Sequence, residues 1–221
     1  MRLVVISDTH SMHAKIAGGV PDGDVLIHGG DHCGQNSKVS VGAFLEWFAA
    51  QPHKHKIFIA GNHDGAFERD PDWCRQAIQA IDPSLIYLQD SGHEIDGVKF
   101  WGAPWQPEFN AWHFNLPRGP QLAKKWALIP RDTDVLITHG PPHGILDVCP
   151  DVNQVLASPQ MISVGCEELA KTIPRVQPKV HIFGHIHEGY GTHEQNGITF
   201  INGSNVDGTY RPVNPAIVFD I

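Results

Sequence analysis

The sequence predicts an α/β fold, a four-layer αββα sandwich in which two mixed β-sheets pack together between flanking helices. Its first half alternates short apolar, β-branched runs with amphipathic helical segments, which is the pattern of buried parallel strands joined through helices. Its second half consists mostly of strands. Clusters of Asp and His follow several apolar runs, and open α/β sheets bind ligands at the carboxyl ends of their strands.

The first half contains three predicted strands, at residues 2–7, 24–28 and 56–60, and two predicted helices, at residues 38–51 and 71–81. In the first helix Val41, Phe44 and Phe48 recur at the spacing of one apolar helical face. The second helix opens with Asp70 as its N-cap and Pro71 at its first position, where a missing N–H costs nothing.

The second half begins with strand-forming residues 85–88 and with a hairpin at residues 92–102, which turns at Asp96-Gly97. The later elements are helices at residues 120–128 and 162–173 and strands at residues 134–138, 179–183, 198–202 and 216–221. No internal repeat, low-complexity tract or linker divides the chain. We therefore expect one domain spanning residues 1–221.

Residues 102–119 have no clean period, contain three prolines, and are expected to form an ordered loop. The loop carries Trp105, Phe109, Trp112 and Phe114. Aromatic side chains usually bury themselves, so packing of the loop over a sheet is the more common outcome. Exposed aromatic rings can also stack on nucleobases, and the loop could then form a wall beside a substrate. The sequence leaves both interpretations open.

Composition places limits on function. The 221 residues are 41% hydrophobic and 18% charged, as in a globular protein with a substantial core. No apolar run approaches the roughly 20 residues of a membrane span, and polar residues interrupt any signal-peptide core, so a cytoplasmic protein is expected. The net charge of −8 disfavours a stable nucleic-acid complex. The four scattered cysteines form no CxxC motif, which argues against a zinc ribbon or a disulfide framework.

Five polar clusters each lie at the carboxyl end of an apolar run: Asp8-Thr9-His10, Gly30-Asp31, Gly61-Asn62-His63-Asp64, His139, and Gly184-His185-Ile186-His187. Any one of them alone is typical of a strand-to-loop turn, because Gly and Asn favour turns. Five such clusters together indicate that the strand ends converge on one site.

Metal ligation is the chemistry that these clusters suit. Asp8 and His10 are two residues apart, and side chains at that spacing in an extended chain point to the same face, so both can bind one metal. The same reasoning applies to His185 and His187. Further candidates are the carboxylate of Asp31, which could bridge two ions, the Asn62 amide and the His139 imidazole. Seven ligands are too many for one ion, and imidazole with carboxylate suits Mn, Fe or Zn.

The ordered blocks D-x-H, G-D, G-N-H-D, a lone H and G-H-x-H resemble the calcineurin-like metallophosphoesterase superfamily. The resemblance extends over nearly the whole chain to one subfamily, the brain-type metallophosphoesterase-domain phosphodiesterases that also occur in bacteria. The segments that carry it are SDTHS, IAGNHD, IYLQDS, WGAPW, FNLPRG, THGPP and HEGYGT. The family has the αββα sandwich fold.

The resemblance implies two metal ions, with Mn the preferred ion in vitro and Asp31 as the bridging ligand. One ion would be bound by Asp8, His10, Asp31 and His187, and the other by Asp31, Asn62, His139 and His185. Metal-bound hydroxide would attack phosphorus in line. His63 would stabilise the transition state or protonate the leaving oxygen, and Asp64 would orient His63.

The resemblance and the charge balance both favour phosphodiesters, in particular 2′,3′- or 3′,5′-cyclic nucleotides and aryl diesters. A dianionic monoester usually needs an arginine clamp, and the only arginines near motif-like turns, Arg118 and Arg211, lie outside the metal blocks. Arg118 is expected to make a loop or surface contact. Beside Asp31, His32 and Cys33 either pack in a loop, the favoured interpretation, or contact substrate.

Two other functions remain open. The same site could hydrolyse phosphomonoesters, including phosphoproteins, and this would be supported by a deeper pocket lined with arginine. The fold could also serve as a nucleotide-binding scaffold without turnover. A scaffold would be expected to lack ligand residues, and none is missing here. An active enzyme on a small-molecule substrate is therefore expected, whereas oligomeric state and substrate-binding residues are not predicted.

Overall fold

The computed structural model describes residues 1–34, 36–151 and 160–221. The strands of these residues are, in chain order, β1 (Arg2–Ile6), β2 (Val25–His28), β3 (His55–Phe58), β4 (Ile86–Tyr87), β5 (Ser91–Ile95), β6 (Val98–Ala103), β7 (Gln106–Pro107), β8 (Asn115–Leu116), β9 (Val135–Thr138), β10 (Val148–Pro150), β11 (Met161–Ser163), β12 (Val180–Phe183), β13 (Gly191–Gln195), β14 (Ile198–Asn202) and β15 (Ile217–Asp220). The helices are α1 (Lys38–Ala49), α2 (Ala66–Arg69), α3 (Pro71–Ile81), α4 (Pro120–Trp126) and α5 (Glu167–Val176).

Two mixed sheets carry most of these strands. The first has the order β15-β1-β2-β3-β4, in which β15 is antiparallel to β1 and the other neighbours are parallel. The second has the order β13-β14-β12-β9-β6-β5, with parallel pairs from β14 to β6 and an antiparallel strand at each edge. Short pairs β7–β8 and β10–β11 lie outside the two sheets.

Apolar side chains fill three layers and confirm the predicted αββα sandwich. Leu3 of β1 and Ile137 of β9 belong to one buried cluster, which lies between the sheets. Phe44 of α1 packs with Phe58 of β3 on the outer face of the first sheet, with a ring separation of 5.5 Å. Trp126 of α4 belongs to the cluster that covers the second sheet. The central strands are apolar on both faces because both faces are buried.

Local signals account for most element boundaries. The Ser37 side chain caps α1, and Asp70 caps α3 by accepting a hydrogen bond from the backbone of Trp73 at 3.3 Å. Asp96 and Gly97 both have positive φ angles, 49° and 83°, as the predicted β5–β6 hairpin turn requires. None of the helices in the described ranges is long and apolar enough to span a membrane.

Two parts of the second half differ from the prediction. The helix predicted at residues 162–173 begins only at Glu167, because Cys166 accepts the Leu169 N–H as its cap, and Met161–Ser163 instead forms β11. Strand β13 was not predicted, although it forms a hairpin with β14. The signal was present in Asn196-Gly197, which has the two positive φ angles of a tight hairpin turn.

Replacement of Phe44 by alanine should lower the free energy of unfolding by about 3–5 kcal/mol, because the ring is fully buried beneath α1. Val39 lies on the same helix but is 82% exposed, so Val39→Ala is the matched control. Its effect should stay within about 0.5 kcal/mol. Urea unfolding followed by circular dichroism measures both variants. Equal effects would contradict the layer assigned to Phe44.

Candidate metal centre

The predicted site residues lie in loops that leave the carboxyl ends of β1, β2, β3, β9 and β12. Four of them have left-handed backbones, with φ angles of 51° at Asp8, 42° at His10, 55° at Asp31 and 66° at His185. Non-glycine residues seldom adopt this conformation, although Asp and His do so more often than most. It costs about 1–3 kcal/mol per residue and is concentrated at functional sites. Hydrogen bonds hold it in place, including Asp8 N–H to Gly30 O at 2.9 Å.

Because these backbones are left-handed, the argument that side chains two residues apart share a face does not apply to Asp8 and His10. Strand β1 ends at Ile6, so Asp8 and His10 do not lie on an extended chain. They nevertheless come together, because the loop curls back on itself. His185 and His187 do not share a face: His187 belongs to a group with Asp8 and His10, whereas His185 belongs to a group with Asp31 and His139. Residue spacing alone therefore does not pair His185 with His187, and the two rings lie in the separate groups that the resemblance implies.

The first group consists of Asp8, His10 and His187, whose ligand atoms lie within 4.8 Å of one another. Nε2 of His187 is 3.3 Å from Nε2 of His10 and 3.4 Å from a carboxylate oxygen of Asp8. The Asp8 carboxylate is fully buried and accepts hydrogen bonds at 3.0 Å from the His185 backbone and from the Ser204 hydroxyl. These bonds orient Asp8 toward the two imidazoles.

The second group consists of Asp31, His139 and His185. Nε2 of His139 is 3.4 Å from Oδ2 of Asp31 and 3.0 Å from the Asn62 side-chain oxygen, so the predicted amide ligand lies beside them. The His139 and His185 rings are 5.0 Å apart. The structure thus brings together all seven of the side chains that the sequence singled out, and their role as ligands stays a prediction.

Asp31, a member of the second group, also faces the first group. Its Oδ2 atom faces Nε2 of His139 at 3.4 Å and Nε2 of His10 at 3.9 Å. Its Oδ1 atom accepts the backbone N–H of His63 at 2.7 Å, which fixes the rotation of the carboxylate. The backbone therefore holds one carboxylate oxygen, while the other oxygen faces an imidazole nitrogen of each group, as a bridging ligand requires.

The hydrogen bonds of the imidazoles show that this donor set fits a cation. Nδ1 of His139 lies 3.0 Å from the Gly29 carbonyl and donates to it, so in the neutral ring it is Nε2 that offers a lone pair beside Asp31 and Asn62. Nδ1 of His187 likewise faces the Asp207 carbonyl at 3.3 Å. The buried carboxylates beside these rings need a positive charge, which either a proton on an imidazole or a bound cation can supply. Histidine ligands that donate their other N–H to a carbonyl are typical of metal sites.

The pKa shifts of the buried groups agree with this charge balance. Burial raises the pKa of the Asp8 carboxyl, but its hydrogen bond with His187 and the charges of His139 and His187 together outweigh burial and leave the pKa below its ordinary value. Burial is likewise outweighed at Asp31, where the charge and hydrogen bond of His139, together with the charges of His10 and His63, keep the pKa well below the ordinary value. Conversely, burial lowers the pKa of His139, but the charge and hydrogen bond of Asp31 and the charge of Asp8 together raise it to about 9, so a proton on this ring balances the carboxylates when no cation is bound. Both carboxylates are negative at neutral pH and attract cations.

Two glycines allow this close packing. A methyl group on Gly184 would clash with the Asp8 carboxylate, and one on Gly61 would clash with Asp31 and with the His139 ring. Only glycine therefore fits at the start of these two clusters without displacing a predicted ligand.

His63 lies at the mouth of the centre and is partly exposed. Its ring meets the His10 ring edge-on at 4.7 Å and lies against the Trp112 ring at 4.1 Å. A ring nitrogen of His63 also lies within 4.8 Å of ligand atoms of His10 and Asp31. An imidazole in this position can reach a group bound next to the metal ligands.

The Asp64 carboxylate has partners other than the His63 ring, and its predicted role in orienting His63 stays a prediction. In the described part of the chain, no hydrogen bond or ion pair joins Asp64 to the His63 ring. Its buried carboxylate instead accepts backbone N–H groups of Gly61 at 2.8 Å and Cys33 at 2.9 Å, and it lies 3.2 Å from Nδ1 of His32. Burial, reinforced by the Asp31 charge, raises the pKa of Asp64 to about 7. Asp64 therefore ties the loop after β3 to the loop after β2.

Comparison with known proteins agrees with this geometry. The sequence profile of the calcineurin-like phosphoesterase family matches residues 1–189. The chain belongs to the calcineurin-like phosphoesterase family. It is 43% identical to the human metallophosphoesterase domain-containing protein 1 over 240 aligned residues, which cover 100% of this chain and 71% of that protein. Both the superfamily and the subfamily predicted from the motifs are thus confirmed, and the protein is a phosphoesterase, a hydrolase.

Solved structures share the fold at low sequence identity. The crystal structure of the protein TT1561 of Thermus thermophilus superposes with a TM-score of 0.58 at 12% identity, over 99% of this chain and 98% of that one. A structure described as a novel archaeal phosphodiesterase superposes with a TM-score of 0.52 at 18% identity, over 100% of this chain and 93% of that one.

In this calcineurin-like phosphoesterase, polar residues outside the predicted motifs form hydrogen bonds around the predicted ligands. Ser204 and Asn205 follow β14, and Asn205 accepts the backbone N–H of Ser7 at 3.2 Å just before Asp8. Behind the ligands, the buried Thr9 and His28 side chains form a 2.9 Å hydrogen bond. The sequence offered a signal for the first pair, because Asn202-Gly203-Ser204-Asn205 is a sixth polar cluster after an apolar run.

The remaining predictions about neighbouring residues can also be compared with the structure. His32 and Cys33 are fully buried, and the His32 ring stacks on Phe44 at 4.0 Å, so the packing interpretation is confirmed. Burial raises the pKa of the Cys33 thiol. Arg118 bonds the carbonyls of Gly165 at 2.8 Å and Val164 at 2.6 Å, which is the expected loop contact.

Addition of Mn²⁺ to the metal-stripped phosphoesterase should raise its melting temperature, because donors from both sheets converge on the site. At a free ion concentration of 100 times the Kd, the stabilisation should be about 2.7 kcal/mol. The Asp31→Asn variant should lose most of this shift, since the charge shared by both groups is gone. Calorimetry with and without Mn²⁺ measures the effect. Asp96→Asn, at an exposed hairpin turn, is the control, and an equal shift in both variants would contradict the assignment of Asp31.

Proposed function

We propose that this phosphoesterase is a dinuclear metal-dependent phosphodiesterase, acting on cyclic nucleotides of the 2′,3′ or 3′,5′ type and on aryl diesters. The observation that carries the proposal is the position of Asp31, whose Oδ2 atom faces imidazoles of both ligand groups. Two bound divalent ions supply an activated water and neutralise charge on the phosphoryl oxygens. The chain's own residues hold the ions and orient the ester.

Imidazole, carboxylate and amide donors favour Mn, Fe or Zn over Mg or Ca, which prefer oxygen ligands alone. The thiol nearest in sequence, Cys33, is buried 3.3 Å from Nδ1 of His32 and belongs to neither of the two ligand groups. We propose Mn as the ion that supports activity in vitro.

The charges around the site favour diesters over monoesters. A dianionic monoester usually needs a cationic side chain in addition to metals. Among the described residues, Arg118 is paired with Glu167, and Arg211 is paired with Asp207 at 2.6 Å. Neither guanidinium is free to clamp a second phosphoryl charge. A monoanionic diester requires no such clamp, and the archaeal structure that shares the fold carries the description phosphodiesterase.

We assign to His63 the protonation of the leaving oxygen, or the stabilisation of charge on it. The ring is partly exposed beside His10, and Trp112 and His10 limit its orientation. Its position beside the ligand groups supports this role, because a general acid must lie within reach of the ester.

The expected substrate is a small molecule. The net charge of −8 gives the chain little attraction for a nucleic-acid backbone, so we propose no stable nucleic-acid complex. A location in the cytoplasm is part of the same proposal.

The Mn-reloaded protein should hydrolyse bis(p-nitrophenyl) phosphate faster than p-nitrophenyl phosphate, because the site lacks a free arginine clamp in its described surroundings. Release of p-nitrophenol is measured spectrophotometrically for both esters in one buffer, with the metal-stripped protein as the blank. Faster monoester cleavage would replace the proposal with a monoesterase. Binding of two ions without cleavage of either ester would indicate a nucleotide-binding scaffold.

The His63→Ala variant should lose about 10²–10⁴-fold in kcat for the diester while it binds as much Mn as the wild type. Metal content is measured by elemental analysis after desalting. His93→Ala is the matched control, because His93 is exposed on β5, away from the ligand groups. Full activity in His63→Ala would exclude the proposed role, and loss of metal would make His63 a ligand instead.

A further inference from the structure

Three exposed aromatic side chains surround the candidate metal centre. Phe109, Trp112 and Tyr210 are 42%, 38% and 49% exposed, and they are the only aromatic residues among the exposed large apolar side chains of the described ranges. Each contacts a histidine of the site. A random distribution of exposed rings would leave some of them on other faces of the molecule.

Phe109 and Trp112 come from the loop at residues 102–119, and the structure divides that loop into two parts. Phe114 is fully buried and packs against Trp105 at 5.5 Å, so these two rings fasten the loop to the body of the protein. Phe109 and Trp112 instead stay exposed. The Phe109 ring meets the His185 ring at 6.3 Å, and Trp112 lies against His63 at 4.1 Å.

Hydrogen bonds hold the exposed part of the loop in one conformation. The Asn115 side chain donates to the Phe109 carbonyl at 3.0 Å, and Gln106 donates to the His113 carbonyl at 2.6 Å. The His113 ring is paired with Glu68 of α2 at 3.0 Å. The two exposed rings are therefore presented by an anchored loop.

Tyr210 reaches the centre from a different segment of the chain, the one between β14 and β15. Its ring meets the His10 ring at 4.9 Å and the His187 ring at 5.1 Å. Its backbone has a φ angle of +61°, which is rare for a bulky residue and points to function when the surroundings enforce it. Asp207 enforces it here, because its carbonyl accepts the Tyr210 N–H at 2.8 Å and its carboxylate accepts the Arg211 N–H at 3.0 Å.

We propose that Phe109, Trp112 and Tyr210 form a subsite for a flat aromatic group, a nucleobase or an aryl ring, attached to the phosphate that the metal centre binds. The proposal rests on the proposed function, since it assumes that the phosphate occupies the ligand groups. Phe109 adjoins one group, Tyr210 adjoins the other and Trp112 adjoins His63, so an aromatic side chain lies next to each ligand group and next to the proposed acid.

Stacking on an aromatic side chain recognises the face of a ring, which every nucleobase and aryl group has, and each stacked ring contributes about tenfold or more to affinity. Aliphatic esters gain nothing comparable. The subsite therefore selects by the presence of an aromatic ring and tolerates differences in the ring's polar edge.

The experiment measures binding without turnover, by calorimetry on the Mn-loaded protein. Adenosine 5′-monophosphate and ribose 5-phosphate share the sugar and phosphate, so the ratio of their Kd values isolates the base. The wild type should bind the nucleotide about tenfold more tightly or better. Trp112→Ala and Tyr210→Ala should each bring the ratio toward one, and Trp112→Phe should keep most of it. Release of inorganic phosphate is followed in the same samples.

Leu128→Ala is the control variant, since Leu128 is 51% exposed after α4 and lies outside the subsite; its ratio should equal that of the wild type. A wild-type ratio near one, or a ratio that survives both alanine variants, would overturn the subsite. Phenyl phosphate distinguishes an aryl ring from a nucleobase as the preferred group. Tight binding indicates that any flat ring suffices, and weak binding indicates that the subsite requires a nucleobase. Failure of the phosphodiesterase proposal would appear separately, as absent diester hydrolysis beside an intact binding ratio.

Discussion

The buried carboxylates of Asp8 and Asp31 face imidazole nitrogens at 3.4 Å. The need to compensate these two buried negative charges places the strongest constraint on the structure. Two negative groups inside a protein are stable only when positive charge or hydrogen bonds compensate them. The backbone supplies part of that compensation, through the N–H groups of His185 and His63. The imidazoles and the cations that they are suited to bind supply the rest.

Each ligand group takes its members from both sheets, so the centre depends on how the sheets pack. Asp8 follows β1 of the first sheet, whereas His187 follows β12 of the second. Asp31 follows β2, and His139 follows β9 and bonds back to the Gly29 carbonyl across the interface at 3.0 Å. A cation bound to either group therefore links the two sheets. This explains why the left-handed backbones at Asp8 and Asp31 persist: cross-sheet bonds fix the loops on both sides.

Sequence patterns predicted the buried strands and the convergence of the five clusters well, because apolar runs and strand-end polarity are local signals. They did not suffice where tertiary contacts decide. Spacing alone suggested that His185 and His187 share a face, but the positive φ angle at His185 sends the two side chains to different groups. Adjacency suggested that Asp64 orients His63, whereas the backbone N–H groups of Gly61 and Cys33 offer the buried carboxylate better partners. Neither backbone conformation nor such competition can be deduced from residue order.

The rings at the mouth of the centre form a continuous chain of contacts. Trp112 touches His63 at 4.1 Å, His63 touches His10 at 4.7 Å, and His10 touches Tyr210 at 4.9 Å. A residue of the first ligand group, the proposed acid and two exposed aromatic residues thus pack directly on one another. Substitution of one ring changes the surroundings of the next, and contacting residues give non-additive effects on free energy. Under the proposed function, substrate recognition and proton transfer would consequently be coupled, because the aromatic rings proposed to contact the substrate pack on the imidazoles of His63 and His10.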